Sequence, residues 1–483
     1  MTTFTAFQLP QARQRSTTEP LPHIMWLYIC NSIVNCFTTI SNKTEKINLF
    51  YQLFCKSNLI IFLFINIAMK VFFIGICGVS MSGLAYLLSC NGVEVRGSDI
   101  NASNKPKCLS DIQVYSQPHF DGVEWADLIV VSSAIKKSAE VDFARALNKN
   151  IISRGQLLGY IASKYEKVVA VAGSHGKTTT TAMIFHTLFV NGKNPTLHLG
   201  GNLKDVGNIF VGGCEFFVTE ACEYCDNFLY LKPYLSVITN IEPEHMDYFK
   251  TFKNELASFK KFEENSLFVI KKSQYISKNT RINKEGNISF SLYKNGKKID
   301  RIKMRIGGKY NSDNAIKCIE ACLKLGLNFN QIKFGLQSFK GVKKRCEKIN
   351  TDFPFSVYVD YAHHPKEIFE SAKYFNSVCK NKCVAVFQPH TYSRTKEFYN
   401  DFIISLAQFD EIICYRTYSA RETCEEGLTE YDLYQGLIRL NKTSYHCENE
   451  AYLRFLLKKY GREDVVVFLG AGDLSDKFDF KLT

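Results

Sequence analysis

The chain has 483 residues, of which 46% are hydrophobic and 22% are charged. This composition is typical of a globular protein of roughly two to four domains, and it excludes collagen-like and wholly disordered chains. The formal net charge is +13, but lysine and arginine are scattered and never form a run of five. The sequence therefore does not predict a nucleic-acid-binding arm, and a preference for small anionic substrates is the milder inference.

Seventeen cysteines lie at irregular spacings along the chain. This pattern differs from the close pairs of small secreted domains, so it predicts reduced thiols and a cytoplasmic protein. Cys222 and Cys225 form one Cys-x-x-Cys pair. A structural zinc needs four ligands, and no second pair lies at a suitable distance, so we do not expect zinc.

Residues 1–68 differ in character from the rest of the chain. Residues 21–40 are uncharged but contain polar side chains, and the apolar stretch 58–68 is too short to span a bilayer. The cationic residues lie too far from the apolar stretch for a signal peptide. Because Met69 directly precedes a buried strand, the sequence favours Met69 as the true start over a membrane anchor. We expect no stable membrane insertion from residue 69 onward.

From residue 70 onward, short β-branched runs alternate with helical patterns, which indicates parallel sheets covered by helices. Strand-and-turn units begin at Lys70, Val168 and Ser356. Their spacing predicts an α/β protein of three domains. The predicted segments are a leader (1–68) and three domains (69–165, 166–341 and 342–483).

The first block opens with a strand, residues 71–74, and three glycines at Gly75, Gly78 and Gly83 that lead into a helix. A strand that breaks at glycines and feeds a helix N-terminus presents free N–H groups, which suits a phosphate. The spacing differs from Gly-x-Gly-x-x-Gly, so it does not specifically indicate a nicotinamide dinucleotide.

Further polar residues of this block lie at predicted strand ends. Asp99 could accept a hydrogen bond from a ribose hydroxyl or a base, or it could be a turn residue, and the two alternatives stay open. Ser133 and Arg154 follow later strands. Open α/β sheets place their ligands at such ends.

The second block contains the most specific signal in the sequence. Residues 168–171 read as a buried strand, 172–179 as a phosphate loop ending in Gly-Lys-Thr-Thr, and 180–190 as the following helix. In such loops, backbone donors surround phosphate oxygens, the lysine (Lys177) reaches the terminal phosphates, and the threonine (Thr178) contacts a magnesium ion.

Two residues downstream can complete a magnesium site. Glu220 ends the strand 216–220, and His245 follows the strand 236–240. Taken singly, each is an ordinary residue for its position. Their joint placement after two strands predicts that both converge on the loop that holds Lys177.

The third block adds polar residues after the strands 357–359 and 384–386. His363 or His364 could be a helix cap or a buried partner. Paired with Arg394, one of them could instead grip a carboxylate, because arginine offers a bidentate fork.

Six segments resemble the motifs of the Mur ligases and occur in the same order: residues 75–83, 173–181, 220–223, 240–247, 360–365 and 387–390. The pattern is most similar to the branch that joins L-alanine to the lactyl carboxylate of UDP-N-acetylmuramate in peptidoglycan synthesis. The resemblance implies an ATP-dependent amide ligase that forms an acyl phosphate, with ATP as co-substrate and Mg²⁺ as cofactor. It also implies a Rossmann-like UDP-binding domain, a central P-loop ATPase-like parallel sheet and a C-terminal Rossmann-like domain.

The same resemblance implies roles for individual residues. The catalytic residues are Lys177, Glu220 and His245, and the metal ligands are Thr178, Glu220 and His245. The ATP-binding residues are Gly173, Ser174, His175, Gly176, Lys177, Thr178, Thr179, Asn311, Asn314, Arg345 and Asp360. The UDP-sugar-binding residues are Gly75, Gly78, Ser82, Gly83, Asp99, Ser133 and Arg154. The amino-acid-binding residues are His363 and Arg394.

Three other interpretations stay open on the sequence alone. A related ligase would add a peptide instead of L-alanine to the same sugar nucleotide. A nicotinamide-dependent oxidoreductase would bind its cofactor at residues 75–83. A membrane-tethered binding protein would depend on residues 1–68.

Overall fold

A computed structural model describes residues 69–420, 422–424 and 427–481. The predictions about the leader and its start site lie outside the described residues. Within those ranges, none of the helices combines the length and the apolar character needed to cross a membrane.

The N-terminal sheet has five parallel strands in the order β3-β2-β1-β4-β5. Its central strand forms because the run Val71–Ile74 is buried on both faces. The strands are β1 (Lys70–Ile74), β2 (Glu94–Asp99), β3 (Gln113–Ser116), β4 (Leu128–Val131) and β5 (Asn150–Ser153). The α-helices are α1 (Val79–Cys90), α2 (Phe120–Trp125), α3 (Ala139–Ala146) and α4 (Arg154–Ala162).

The central sheet has six strands in the order β11-β10-β6-β9-β7-β8, and only the β7–β8 pair is antiparallel. The strands are β6 (Lys167–Ala172), β7 (Thr196–Leu203), β8 (Gly207–Phe210), β9 (Phe216–Glu220), β10 (Leu235–Ile238) and β11 (Phe268–Ile270). The associated helices are α5 (Lys177–Val190), α6 (Met246–Phe249), α7 (Phe252–Glu264), α8 (Asn311–Lys324) and α9 (Phe329–Ser338).

A small antiparallel sheet precedes α8, with strand order β12-β13-β14. Its strands are β12 (Tyr275–Ile282), β13 (Ile288–Lys294) and β14 (Lys297–Lys303). Phe290, Leu292 and Ile302 are fully buried and belong to the same core cluster as α5, α8 and α9. One face of this sheet is therefore packed against the central part of the protein.

The C-terminal sheet has six strands in the order β15-β16-β20-β17-β18-β19, with only β15 antiparallel to its neighbour. The strands are β15 (Glu347–Ile349), β16 (Ser356–Asp360), β17 (Cys383–Phe387), β18 (Glu411–Tyr415), β19 (Thr443–Cys447) and β20 (Val465–Leu469). The helices are α10 (Pro365–Val378), α11 (Tyr392–Glu397), α12 (Tyr399–Leu406), α13 (Glu430–Arg439), α14 (Glu450–Leu457) and α15 (Leu474–Lys477).

The predicted fold class, parallel α/β sheets with a phosphate loop at the central one, is confirmed. One local prediction was wrong. The helix after the phosphate loop begins at Lys177 instead of Thr180, because Gly176 is left-handed (φ 81°) and turns the chain directly into the helix. For Asp99, whose role was left open, the turn alternative is not observed, because the strand β2 extends to Asp99.

Candidate active site

The phosphate loop connects β6 to α5 and is held by the segment after β10. Gly173 is also left-handed (φ 127°). The backbone N–H of Ser174 donates to Asn240 O (3.1 Å), and that of His175 donates to Asn240 Oδ1 (2.9 Å). The loop is thereby fixed at the N-terminus of α5, where the helix dipole and free N–H groups favour a phosphate.

Lys177 lies in the first turn of α5 and is engaged by the loop and by a buried acid. Its Nζ donates to Gly173 O (2.5 Å) and to Glu223 Oε1 (2.9 Å). Burial works to lower the pKa of Lys177, but the charge and hydrogen bond of Glu223, together with the nearby Cys222 and Glu244, raise it. Burial works to raise the pKa of Glu223, but the charge of Lys177 and a hydrogen bond from His245 lower it to about 2. The pair is therefore fully ionised.

Glu223 is a site residue that the sequence analysis missed. His245 Nε2 lies 3.6 Å from Glu223 Oε1. Glu223, Glu244 and His245 each offer one ligand atom, and these atoms lie within 4.8 Å of one another. The second oxygen of Glu223 is buried without a hydrogen-bond partner, and carboxylate oxygens are the ligands that Mg²⁺ prefers. This group of side chains fits a cation.

Glu220 and Thr178 form a separate pair beside Lys177. Thr178 Oγ1 donates to Glu220 Oε2 (3.0 Å), and the backbone N–H of Gly200 donates to Glu220 Oε1 (2.6 Å). Burial raises the pKa of Glu220 despite these hydrogen bonds and the charge of Lys177. The predicted metal ligands thus fall into two groups, with Thr178 and Glu220 in one and His245 in the other.

A cavity of about 870 Å³ lies between the phosphate loop and the start of the C-terminal sheet. The predicted ATP-binding residues that line it are His175, Gly176, Thr178, Thr179, Asn314, Arg345 and Asp360. Asn311 donates to Gly307 O (2.6 Å) and accepts from Asn314 Nδ2 (2.9 Å), so it orients Asn314. A nucleotide in this cavity would contact both the central and the C-terminal sheets.

Glu367 is a second residue that the sequence analysis missed, and it contacts three other side chains around the cavity. Its carboxylate lies 3.5 Å from His175 Nδ1, 3.7 Å from Arg345 NH1 and 3.4 Å from His363 Nδ1. Burial works to raise the pKa of Glu367, but these three neighbours hold it well below its usual value. The sequence did contain one indication of Glu367: it lies three residues after His364, the position at which a glutamate completes a capping box at the start of α10.

The two histidines of the third block have different environments. His364 is the N-cap of α10, as one of the open alternatives had it. His363 Nδ1 lies 3.0 Å from Tyr361 O. Burial, together with the charge of Arg394, lowers the pKa of His363 to about 4 against the attraction of Glu367. His363 is therefore neutral near pH 7, with the Arg394 cation nearby.

Asp99 stabilises the loop between β1 and α1, residues 75–78, which contains Gly75 and Gly78. Its carboxylate accepts from the backbone N–H groups of Cys77 (2.9 Å) and Asn101 (2.9 Å), so its hydrogen bonds stabilise the loop. Gly75 is left-handed (φ 82°) and Gly78 is the N-cap of α1. This geometry leaves the start of α1 available to an anion.

Other predicted UDP-sugar residues lie at the contact with the central sheet. Ser82 Oγ accepts from Asn208 Nδ2 (3.3 Å), and a side chain at Gly83 would meet the same amide. Arg154 NH1 donates to Ser80 Oγ (3.2 Å), which in turn lies 3.0 Å from His198 Nε2. Ser133 is half-buried after β4. Ser80 and His198 were not identified from the sequence.

Fold and site together define an α/β nucleotide-binding enzyme in which a phosphate loop faces a second, C-terminal sheet across a cavity. Three family profiles match the chain: "Mur ligase family, catalytic domain" over residues 70–166, "Mur ligase middle domain" over 171–288 and "Mur ligase, glutamate ligase domain" over 344–472.

Several ligases are similar to this protein over most of the chain. The UDP-N-acetylmuramate–L-alanine ligase of Caldanaerobacter subterraneus is 36% identical over 438 residues, which cover 84% of this chain and 95% of the relative. That of Acetivibrio thermocellus is 35% identical over 439 residues, covering 84% and 93%. The crystal structure of the UDP-N-acetylmuramate–alanine ligase of Thermotoga maritima matches with a TM-score of 0.74 at 26% identity, covering 84% of this chain and 97% of that one. The chain belongs to the Mur ligase family.

Proposed function

We propose that the protein joins L-alanine to the lactyl carboxylate of UDP-N-acetylmuramate at the expense of ATP. The observation that carries the proposal is the cavity in which the phosphate loop, with Gly176 and Thr178, faces Arg345 and Asp360 of the C-terminal part. The similar UDP-N-acetylmuramate–L-alanine ligases supply the substrate class. ATP and nucleotide sugars are cytosolic metabolites, so we infer that the reaction takes place in the cytosol.

The first step activates the carboxylate. A lactyl oxygen attacks the γ-phosphorus of ATP, the bond to the β-phosphate oxygen breaks, and ADP leaves with that bond's electron pair. Both reactants are anions, and Lys177 at the start of α5 offsets their repulsion. In the described conformation Lys177 is bound to Glu223, so phosphate oxygens must take over this contact when ATP binds.

The second step forms the amide. The amine of L-alanine attacks the acyl carbon to give a tetrahedral intermediate and releases a proton to solvent. The bond from this carbon to the phosphate oxygen then breaks, and inorganic phosphate leaves with the electron pair. His363 is neutral because its pKa is lowered to about 4 by burial and by Arg394. The positive charge beside it that can pair with the alanine carboxylate is therefore that of Arg394 and not that of His363.

Magnesium fits the side chains on both sides of Lys177. Thr178 and Glu220 would hold one ion, and Glu223, Glu244 and His245 would hold another. When bound, Mg²⁺ would neutralise charge on the transferring phosphoryl group.

The test is phosphate release by the full chain with ATP and UDP-N-acetylmuramate, adding L-alanine, other amino acids or a tripeptide in turn. We expect release with L-alanine, and we expect Lys177→Ala to abolish it in a folded variant. Release with the tripeptide instead of L-alanine, or undiminished turnover by Lys177→Ala, would overturn the proposal.

A further inference from the structure

The small antiparallel sheet concentrates the positive charge of the chain. Residues 271–305 contain eleven lysines and arginines but two acids, so this short segment carries nine of the thirteen net positive charges. The sequence alone did not reveal a surface, because the cations are separated by polar and apolar residues. The strand pairing brings them together.

Five of these cations share the face of the sheet opposite the core: Lys278, Arg281, Lys298, Arg301 and Lys303. Phe290 and Leu292 of β13 belong to the core cluster, so Ser289, Ser291 and Tyr293 lie on the other face, where Ser289 and Tyr293 are half-buried and Ser291 is 2% exposed. Ser291 is paired with Lys278 and Arg301, and Ser289 with Arg281 and Lys303. Each serine therefore has a cation on both sides.

The acids of the segment do not neutralise this face. Asp300 is paired with buried Leu292, and it forms an ion pair with Lys333 of α9 at 2.6 Å. Glu285 lies in the β12–β13 turn, where the amides of Asn283 and Asn287 donate to it. The four cations beside the serines thus keep their charge uncompensated by these acids.

Apolar side chains lie at one end of the same face. Ile276 and Tyr293 are paired in one row with Lys298, and Ile299 lies at the irregularity next to them. Ile276 and Ile299 are each 46% exposed. We name as the basic sheet face the residues Ile276, Lys278, Arg281, Tyr293, Lys298, Ile299, Arg301 and Lys303.

We propose that the basic sheet face docks the protein reversibly on an anionic lipid bilayer. Lysine and arginine near such a surface attract its headgroups, while exposed isoleucines insert into the interface. A single-stranded nucleic acid fits less well, because it needs free aromatic rings for base stacking. Tyr293, the aromatic residue on this face, has the ammonium of Lys278 over its ring at 5.2 Å.

The experiment is sedimentation of the full chain with vesicles of phosphatidylcholine, with and without phosphatidylglycerol, at low and high salt. We expect binding to the anionic vesicles at low salt, and release by high salt. Each basic residue near the surface contributes about fivefold to affinity. The variant Lys278→Gln, Arg281→Gln, Lys298→Gln, Lys303→Gln should therefore bind roughly a hundredfold more weakly or worse.

A matched variant removes four exposed lysines elsewhere: Lys193→Gln, Lys232→Gln, Lys253→Gln, Lys458→Gln. It should bind nearly as well as the unchanged chain, and both variants should unfold at the same temperature as that chain. The proposal would be overturned if the two variants lost affinity equally, or if the substitutions on the sheet left vesicle binding unchanged. It would also be overturned if the full chain did not bind anionic vesicles, or if it preferred homopolymeric RNA to them.

Discussion

At the scale of single residues, the buried ion pair of Lys177 and Glu223 dominates the electrostatics of the site. The Glu223 side chain is 1% exposed. Glu223→Gln keeps its shape but leaves the Lys177 cation without a counter-ion, and removing one partner of a buried pair costs about 3–5 kcal/mol. We expect a loss of that order in the free energy of unfolding, measured with denaturant. ADP should stabilise this variant more than the unchanged protein, because its phosphates restore the missing charge.

The matched control is Glu215→Gln. Glu215 pairs with Lys167 at 2.9 Å, but both side chains are partly exposed, and such surface pairs contribute about 0–1 kcal/mol. A loss for Glu223→Gln as small as that for Glu215→Gln would contradict the assignment of Glu223 as the counter-ion.

Glu223 also illustrates what a sequence can and cannot predict about a site. Glu220 was identifiable because it ends a β-branched strand. Glu223 lies three residues on, where Cys225 and Asp226 adopt left-handed conformations inside the 3₁₀ segment Tyr224–Tyr230. No periodicity describes such a segment, so the direction of the side chain of Glu223, its N-cap, could not be derived from the residues alone.

A pH dependence follows from His198, which links β7 to the start of α1. It is 2% exposed and contacts Thr219 Oγ1 (2.9 Å) and Ser80 Oγ (3.0 Å). Burial, with the charge of Arg154, lowers its pKa from 6.5 to about 4. The folded protein holds His198 neutral, so protonating it favours the unfolded chain. Because the folded pKa lies below the unfolded one, the contribution of neutral His198 to the free energy of unfolding is fully present above about pH 6.5 and is lost as the pH falls toward about 4.

We therefore expect His198 to cost about 2 kcal/mol of stability between about pH 8 and about pH 5. His198→Gln cannot take up a proton in this range, so its unfolding free energy should fall less steeply with decreasing pH. The measurement is denaturant unfolding of both proteins at several pH values. Parallel curves would show that His198 is not the titrating group.

At the scale of elements, the turn from the phosphate loop into α5 depends on Gly176. A Cβ there would lie 2.5 Å from Asn314 Oδ1, in addition to the strain of the left-handed backbone (φ 81°). Gly192, just after the same helix, has a similar φ of 76° but no atom within 4 Å of the added Cβ. Comparing alanine substitutions at the two glycines therefore distinguishes the effect of steric contact from that of backbone strain.

Gly176→Ala and Gly192→Ala should both lose about 1–2 kcal/mol of stability from the backbone alone. Only Gly176→Ala should also lose nucleotide binding, measured by calorimetry with ADP, because it displaces Asn314 and narrows the loop. Equal ADP affinity in the two variants would refute the role of this close approach.

The elements that the sequence predicted well are those with a buried, β-branched centre, such as β6 and β16. The start of α5 was missed because all of residues 172–179 were assigned to the phosphate loop. The left-handed Gly176 is the N-cap, so Lys177, Thr178 and Thr179 belong to the first turn of the helix. A loop motif read from the sequence therefore gave the wrong boundary where the backbone conformation of one glycine decides it.

At the scale of the whole molecule, the residues that connect the sheets could not be found from the sequence, because they lie far apart in the chain. Lys366 pairs with Glu242 at 2.6 Å, and Glu367 lies 3.5 Å from His175. Both contacts join α10 to the segments around the phosphate loop. The order of motifs indicated the family, whereas the arrangement of the sheets around one cavity required the structure.

A nucleotide that fills this cavity should stabilise both of its walls together. At about a hundred times its dissociation constant, a ligand adds about 2.7 kcal/mol to the stability of the state that binds it. ADP should therefore slow hydrogen exchange both in the loop 173–176 and at the end of β16, because Gly176 and Asp360 line the same cavity. UDP-N-acetylmuramate alone should protect the loop 75–78 instead. Protection by ADP that stops at the phosphate loop would mean that the C-terminal sheet takes no part in nucleotide binding.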